Sequence, residues 1–313
     1  KVIGIDYNKS NIDDALDNAK LNVLFVGDDA KDLNDTSIVL KMIYGTNKFL
    51  FALQDGHVVE SVLMRYHHGN SVCISSQVGC LMGCRFCAST IGGKVRDLAA
   101  SEMLGQIYKI QKLSEERVHN VVVMGTGEPL DNYDQVVRFL RMLSEEGGVH
   151  IGMRHISLST CGVVSGIYRL MEEQIPLTLS ISLHAPNDEI RSRSMPINRR
   201  WPIEELLKAC RDYIETTGRR ISFEYAMIDG VNDSDAHAAE LADRLRGMLC
   251  HVNLIPVNSV QGKAQRRSSR ERIRSFMSVL EKKGINATVR RTLGADINAS
   301  CGQLRRQQDQ QGE

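Results

Sequence analysis

Ser71-Val-Cys-Ile-Ser-Ser-Gln77, followed after two residues by Cys80-Leu-Met-Gly-Cys84-Arg-Phe-Cys87, sets a β-rich run directly before a loop carrying three cysteines. Short runs rich in Val and Ile recur towards the C-terminus at 120–124, 155–160, 177–183, 221–228, 251–257 and 287–292. Segments with one apolar face lie between them: Met103, Ile107 and Ile110; Val136, Leu140 and Leu143; Ile203, Leu207, Cys210 and Ile214; Leu241, Leu245 and Met248; Ile273, Met277 and Leu280. Pro202 stands at the first turn of its helix, where a missing N–H costs nothing. Such alternation builds a parallel α/β fold. Six or seven βα repeats make a full or partial barrel, and most runs are apolar enough to predict strands covered on both faces. Chemistry in such barrels gathers in the loops after the strands, so functional residues are expected just beyond each run.

On the N-terminal side, 48–53, Asp55-Gly56 and 58–64 predict a β-hairpin that leads, over 46–70, into the barrel. Residues 1–45 fit less well. There 1–6 and 22–26 read as strands around a helical 11–20, a small βαβ or an irregular extension, and the chain opens on Lys1 with no Met, as a fragment would. The barrel core with its C-terminal cysteine segment is expected over 71–304, and the Gln-rich 305–313 as a disordered tail.

With 313 residues, 42% hydrophobic, 25% charged and 6 Pro, the composition is that of an ordinary globular protein. No apolar run approaches the ~18 residues of a membrane span, and no signal-peptide core opens the chain, so a cytoplasmic protein without membrane partners is the default expectation. In a reducing compartment the eight cysteines read as metal ligands, catalytic thiols or core residues. Net charge is +1, but residues 1–35 hold eight Asp against four Lys, which leaves the rest of the chain at +5. Arg199–Arg200, Arg219–Arg220, Arg266–Arg267, Arg290–Arg291 and Arg305–Arg306 cluster that excess, either to meet phosphates or as scattered solvated charge.

Thiolates four and three residues apart can wrap one face of an iron–sulfur cluster, and no fourth cysteine follows at matching spacing. One iron would then lack a protein ligand, as reacting metals require. A zinc knuckle or incidental cysteines are the alternatives. Met124-Gly-Thr-Gly-Glu-Pro129 ends the second run, where glycines admit a close backbone approach and Glu128 can accept from an ammonium group. Ser159, Ser182-Leu183-His184 and Asn258 fall at later strand ends, each able to hydrogen-bond one ligand at the barrel mouth and each equally readable as an ordinary turn residue. Cys161, Cys210 and Cys250 read as buried structural cysteines, with Cys161 the least settled.

C-x3-C-x2-C, G-T-G-E-P, S-L-H-A-P-N-D-E, the M-P-I-N of Met195–Asn198 and the settings of Cys73 and Cys301 together resemble the radical S-adenosylmethionine (SAM) RNA adenine methyltransferases. The likeness runs from about Lys48 to Leu304. It implies a radical SAM partial (βα)6-type barrel, here with a small N-terminal extension. It implies one [4Fe–4S] cluster on Cys80, Cys84 and Cys87, whose open iron chelates SAM, and a SAM site formed by Gly127, Glu128, Ser159, Ser182, Leu183, His184 and Asn258. Two SAM molecules serve each turnover in the implied route. Cys301 takes a methyl group from the first; the second yields a 5′-deoxyadenosyl radical that activates the S-methyl group for addition to the ring. Cys73 then attacks Cys301 to form a transient disulfide and free the base, with Glu60 as proton acceptor. Without the family, Glu60 reads as a solvated strand residue.

The substrate implied is 23S rRNA at the peptidyl-transferase centre, extending to tRNA beside the anticodon, and the reductant an electron donor such as flavodoxin or ferredoxin. A target base in folded RNA must be extruded to reach the barrel mouth, and with aromatics at only 5% its recognition is expected through shape and phosphates. Residues 92–98 and G-T-G-E-P-L-D-N favour the adenine-C2 branch over the C8 enzymes that give antibiotic resistance. Another radical SAM reaction, or a non-catalytic iron–sulfur RNA-binding or redox module, are the other readings. The family adds a helical N-terminal domain that helps hold the RNA, and the acidic residues 1–45 show none of its helical, basic character, as in a chain truncated, rearranged or diverged there.

Overall fold

Ile156-Ser-Leu-Ser-Thr160 and Ile221-Ser-Phe-Glu-Tyr-Ala-Met227 show the rule by which the sheet is built: Ile156 and Leu158, and Ile221, Phe223, Tyr225 and Met227, alternate with small or polar residues. Ile156, Leu158, Phe223, Tyr225 and Met227 are fully buried, whereas Ser157, Ser159 and Ser222 are half-buried. The computed structural model describes residues 23–26, 37–41, 46–257 and 265–290. Among them, an eleven-stranded sheet follows chain order. Its antiparallel part comprises β1 (Val23–Val26), β2 (Ser37–Lys41), β3 (Thr46–Ala52), β4 (Val58–Tyr66) and β5 (Gly69–Cys73). From β5 the sheet continues in parallel through β8 (Asn120–Val123), β9 (Ile156–Thr160), β10 (Thr178–Ser182), β11 (Ile221–Met227), β12 (Cys250–Pro256) and β13 (Ala287–Val289). The crossovers carry helices α1 (Ala100–Ser114), α2 (Tyr133–Ser144), α3 (Val164–Glu172), α4 (Asp188–Ser194), α5 (Ile203–Thr217), α6 (Asp235–Leu245) and α7 (Arg270–Lys282). The α/β architecture is therefore a curved, mainly parallel sheet with helices on its outer face. No helix among the described residues is long and apolar enough to cross a membrane.

The sequence-predicted helix faces pack on the outer side of this sheet, where Met103, Ile107 and Ile110 share a core with Phe49, Phe51, Val59, Leu63 and Val72. The expectation of strands covered on both faces does not hold. The inner face carries Ser159, Ser182, Glu224 and Asn253 at positions where a strand packed under helices on both sides would carry aliphatic side chains. The run 71–77 is also two elements. β5 stops at Cys73, and β6 (Gln77–Gly79) leaves the sheet to pair with β7 (Lys94–Asp97). Gly79 is obligatory there: its φ is +80°, and a Cβ would lie 1.9 Å from the carbonyl oxygen of Gly93. The hairpin forms as expected, with Leu50 opposite Glu60. At the N-terminal end, 22–26 yields β1, but its partner is the antiparallel β2, which the hydrophobic pattern does not single out. The stretches 1–6 and 11–20 lie outside the described residues.

One-sided burial is testable in the cluster-free protein by denaturant unfolding. Leu158→Ala is expected to cost about 2–5 kcal/mol, while Ser157→Ala stays within about 0.5 kcal/mol. Equal losses would mean that both faces are packed.

Candidate cofactor site at the strand ends

A cavity of about 350 Å³ opens at the C-terminal ends of the parallel strands and is lined by the sequence-predicted Cys80, Cys84, Cys87, Gly127, Glu128, Ser159, Ser182 and His184. The cysteine loop is tied down at several points. Cys80 N–H donates to the Gly93 carbonyl at 2.9 Å, Arg85 N–H to Ser194 at 2.9 Å, and Cys87 N–H to Cys84 at 3.1 Å. Thr90 Oγ1 donates to the carbonyls of Cys84 and Cys87. Phe86 packs edge-on against His184, with ring centroids 4.9 Å apart. Burial pushes the Cys80 thiol up to about 12 and also raises Cys84, with repulsion from the neighbouring cysteines adding to both. Such thiols become ligands when a cationic centre compensates the buried negative charge. The donor set therefore fits an iron–sulfur cluster: soft sulfur ligands from one anchored loop, facing one cavity. Among the described residues no three His, Cys, Asp or Glu side chains could share a single ion, as a zinc knuckle would require.

Glu128 lies fully buried between two loops. Its Oε2 accepts from Cys161 N–H at 2.7 Å and its Oε1 from Leu130 N–H at 3.1 Å, while its own N–H donates to Gln77 Oε1 at 2.8 Å. Burial raises its carboxyl above the usual range, and the hydrogen bonds from Cys161 and Leu130 oppose that shift. Each carboxylate oxygen keeps capacity for a further donor. The glycines beside it answer to packing: a Cβ on Gly125 would lie 2.5 Å from the Ile74 carbonyl oxygen, and one on Gly127 (φ +112°) 2.6 Å from Gln77 Cβ. Ser159 and Ser182 face each other across adjacent strands, with their hydroxyls 3.5 Å apart. Leu183 is not in the cavity lining; it is buried, its N–H, like that of His184, donates to the Glu224 carbonyl, and its own carbonyl accepts from Arg191. His184, at φ 56°, accepts from Ala226 N–H on Nδ1 at 2.9 Å. Burial, with Arg191 nearby, pushes its pKa down to about 3, so it is a neutral imidazole with its proton on Nε2. Asn258 and Cys301 lie outside the described residues.

Cys73 and Glu60 are not in the cavity lining. Cys73 is buried on β5 opposite Val62, so Glu60, two residues from Val62, shares its face of the sheet. Glu60 is buried rather than solvated, its carboxylate 2.9 Å from Lys48 Nζ. Among the structural cysteines, Cys210 and Cys250 lie in the main core, whereas Cys161 packs with Cys84 and Met195 and lines the cavity.

Several residues that position the site have no local signature. Gln106 of α1 accepts from Ser75 N–H and Ser61 Oγ and donates to the Ser75 carbonyl. Arg191 is completely buried and donates to the carbonyls of Cys161 (2.6 Å) and Leu183 (3.2 Å) and to Asn198 Oδ1 (2.9 Å). Asn198 also donates to Asp188, so S-L-H-A-P-N-D-E and M-P-I-N are two halves of one knot around this guanidinium. Glu224 lines the cavity with Arg290 and accepts from Ser222 and Asn253. Only the alternation of β11 could have marked Glu224 as inward-facing.

Residues 74–242 match the model of the radical SAM superfamily. A "Probable dual-specificity RNA methyltransferase RlmN" of Lachnospira eligens is 58% identical over 261 residues, 83% of this chain and 75% of that protein. Its counterpart in Clostridium tetani is 55% identical over 277 residues, 88% of this chain and 79% of that protein. A radical SAM methyltransferase from Sphaerobacter thermophilus superposes with a TM-score of 0.80 at 44% identity, covering 96% of this chain and 88% of that one. Streptococcus suis SuiB, solved with S-adenosylmethionine, shares the fold at a TM-score of 0.54 and 15% identity, over 70% of this chain and 50% of that one.

After anaerobic reconstitution, Cys84→Ala is expected to retain less than about a tenth of the wild-type iron and acid-labile sulfide, because the loop then offers two thiolates. Wild-type loading would remove Cys84 from the ligand set. His184 gives a pH signature in the cluster-free protein. Between 6.5 and about 3 the unfolded chain binds a proton that the folded chain refuses. Stability should therefore fall as the pH drops through that window, by up to about 1.4 kcal/mol per pH unit, with a shallower fall in His184→Asn.

Proposed function

Because the chain belongs to the radical SAM superfamily and, within it, to the RNA methyltransferases, we propose that it methylates adenine C2 in 23S rRNA at the peptidyl-transferase centre, and in tRNA beside the anticodon, through an S-methylated Cys301. The observation that carries this reading is the division of the thiols into two stations. Cys80, Cys84 and Cys87 border one cavity, while Cys73 and the buried Glu60 share the inner face of the sheet outside that cavity's lining. A radical enzyme that only cleaves SAM needs the first station alone.

Cys80, Cys84 and Cys87 would hold the [4Fe–4S] cluster, and Gly127, Glu128, Ser159, Ser182, Leu183, His184 and Asn258 would hold SAM. When bound, cluster and SAM supply a carbon radical strong enough to take hydrogen from an S-methyl group. The rest is work for the chain. Adenine C2 is electron-poor and cannot attack a sulfonium methyl group, so the Cys301 thiolate takes it: a sulfur–carbon bond forms and the sulfonium bond breaks. A second SAM is consumed for the radical, which makes two per turnover. The S-methylene radical joins the ring, and the ring radical so formed would give up one electron to the oxidised cluster, which leaves the RNA covalently held by Cys301. Glu60 accepts the ring proton. Cys73 as thiolate then attacks Cys301 sulfur, forming a disulfide; the sulfur–carbon bond breaks with its electron pair on the methylene carbon, which takes a proton, and the methylated base leaves. An electron donor of the flavodoxin or ferredoxin type would supply the electrons for the radical chemistry, and a reductant must return the Cys73–Cys301 disulfide to two thiols. Neutral His184 offers its Nε2 proton as a hydrogen bond without placing a second positive charge beside the sulfonium.

Mass spectrometry that maps residue 301 in the loaded protein and in Cys73→Ala tests the proposal. A methyl group on Cys301, and a trapped RNA adduct in the variant, are expected. Unmodified Cys301 beside an intact cluster would leave the superfamily chemistry and remove the two-thiol route; 8-methyladenosine as the main product would overturn the C2 assignment.

A further inference from the structure

Lys48 lies on β3 with its side chain wholly buried, its Nζ 2.9 Å from Oε2 of Glu60, which is itself 4% exposed. Lysine is almost never fully buried unless paired. The register shows how this pair forms. Leu50 stands opposite Glu60 and Lys48 opposite Val62, so the ammonium reaches diagonally along one face, within range of a long side chain. That face is the inner one. The alternating neighbours Phe49, Phe51, Val59 and Leu63 pack in the helix-side core, and Ser61 donates to Gln106 of α1. Val62 stands opposite Cys73, so lysine, glutamate and thiol share a surface. The Glu60 backbone is fixed to the cavity rim as well. Its carbonyl accepts from Ser75 Oγ at 2.7 Å, and that hydroxyl accepts from Thr126 N–H at 3.0 Å, in the loop that carries Gly127 and Glu128.

Stability is a poor reason for this arrangement. Burying two charges removes both from water, and apolar residues of similar volume commonly hold a fold as well or better. Leu50 and Val62 already supply apolar neighbours against which such a replacement would pack. We infer that Lys48 is a positioning residue: by charge it holds the Glu60 carboxylate in the orientation that takes the proton from the ring carbon of the RNA adduct. That proton passes to Glu60, and the electron pair of the broken C–H bond returns to the ring. The inference rests on the reading of Glu60 as proton acceptor and adds the group that aims it.

The test uses the full chain, reconstituted and supplied with SAM, reductant and RNA. It follows methylation of Cys301 and the decay of the covalent protein–RNA species separately. Lys48→Met should methylate Cys301 at the wild-type rate but resolve the covalent species at least about tenfold more slowly. Lys48→Arg should recover most of that loss, and Lys48→Met combined with Glu60→Gln should be no slower than Glu60→Gln alone. Normal release in Lys48→Met with slow release in Glu60→Gln overturns the role of Lys48 and keeps that of Glu60. Normal release in both overturns both. Melting of the cluster-free double variant Lys48→Met/Glu60→Leu guards against misfolding of the single variant. A midpoint near that of the wild type supports a pair retained for chemistry, and one far below it makes the pair a structural element and overturns the proposal.

Discussion

The parallel sheet has to satisfy two different media at once, and the period of two along each strand is how it does so. On the outer side Leu158, Ile181, Phe223, Tyr225 and Leu254 pack under helices and are wholly buried. On the inner side Ser159, Ser182, Glu224 and Asn253 stand in their place. A small closed barrel fills its interior with layers of branched aliphatic side chains. Here Ser159, Ser182, Glu224 and Asn253 are short or hydrogen-bonding, so the curved sheet leaves room at its strand ends and places polar groups there beside apolar ones such as Ile255 and Phe86. The cysteine loop, the Gly125–Pro129 turn and the His184 loop are arranged around this vacancy in the packing.

Loops that leave a sheet abandon its hydrogen-bond ladder, and their backbone groups must be answered if they are buried. This protein answers them with long polar side chains from neighbouring elements. Arg191 reaches carbonyls after β9 and β10, Gln106 reaches both backbone groups of Ser75, and Gln77 and Glu128 join the β6 segment to the loop after β8. The cofactor site therefore rests on braces that cross between elements, and its geometry is a tertiary property even where its ligands are local in sequence.

That distinction explains what could be read beforehand. The three cysteines of the cluster loop are within eight residues, and their spacing is meaningful without any fold. Strand positions were legible because Val and Ile mark them, yet the same residues disguised the alternation: 156–160 and 178–182 look apolar in bulk although every second position is Ser or Thr. β2 escaped notice because Ser-Ile-Val-Leu-Lys is short and becomes a strand only beside β1 and β3. The glycines at 125 and 127 were legible as sites of close approach, but what approaches is the chain itself, at Ile74 and Gln77. Arg191 and the Lys48–Glu60 pair were out of reach, since their partners lie on different strands or loops and no local pattern distinguishes them from surface charges.

The burial that raises the thiols of Cys80 and Cys84 also governs how the site survives before iron arrives. It is the thiolate that attacks disulfides and reacts with oxidants, and these two sulfurs resist becoming thiolates. Newly folded protein thus carries Cys80 and Cys84 in a form slow to react as thiolates, with Cys161 packed beside Cys84. Waking them takes a donor of iron and sulfide able to displace their protons, so assembly discharges acid and is favoured by alkaline conditions. Maturation and protection are then set by the same few ångströms of apolar cover.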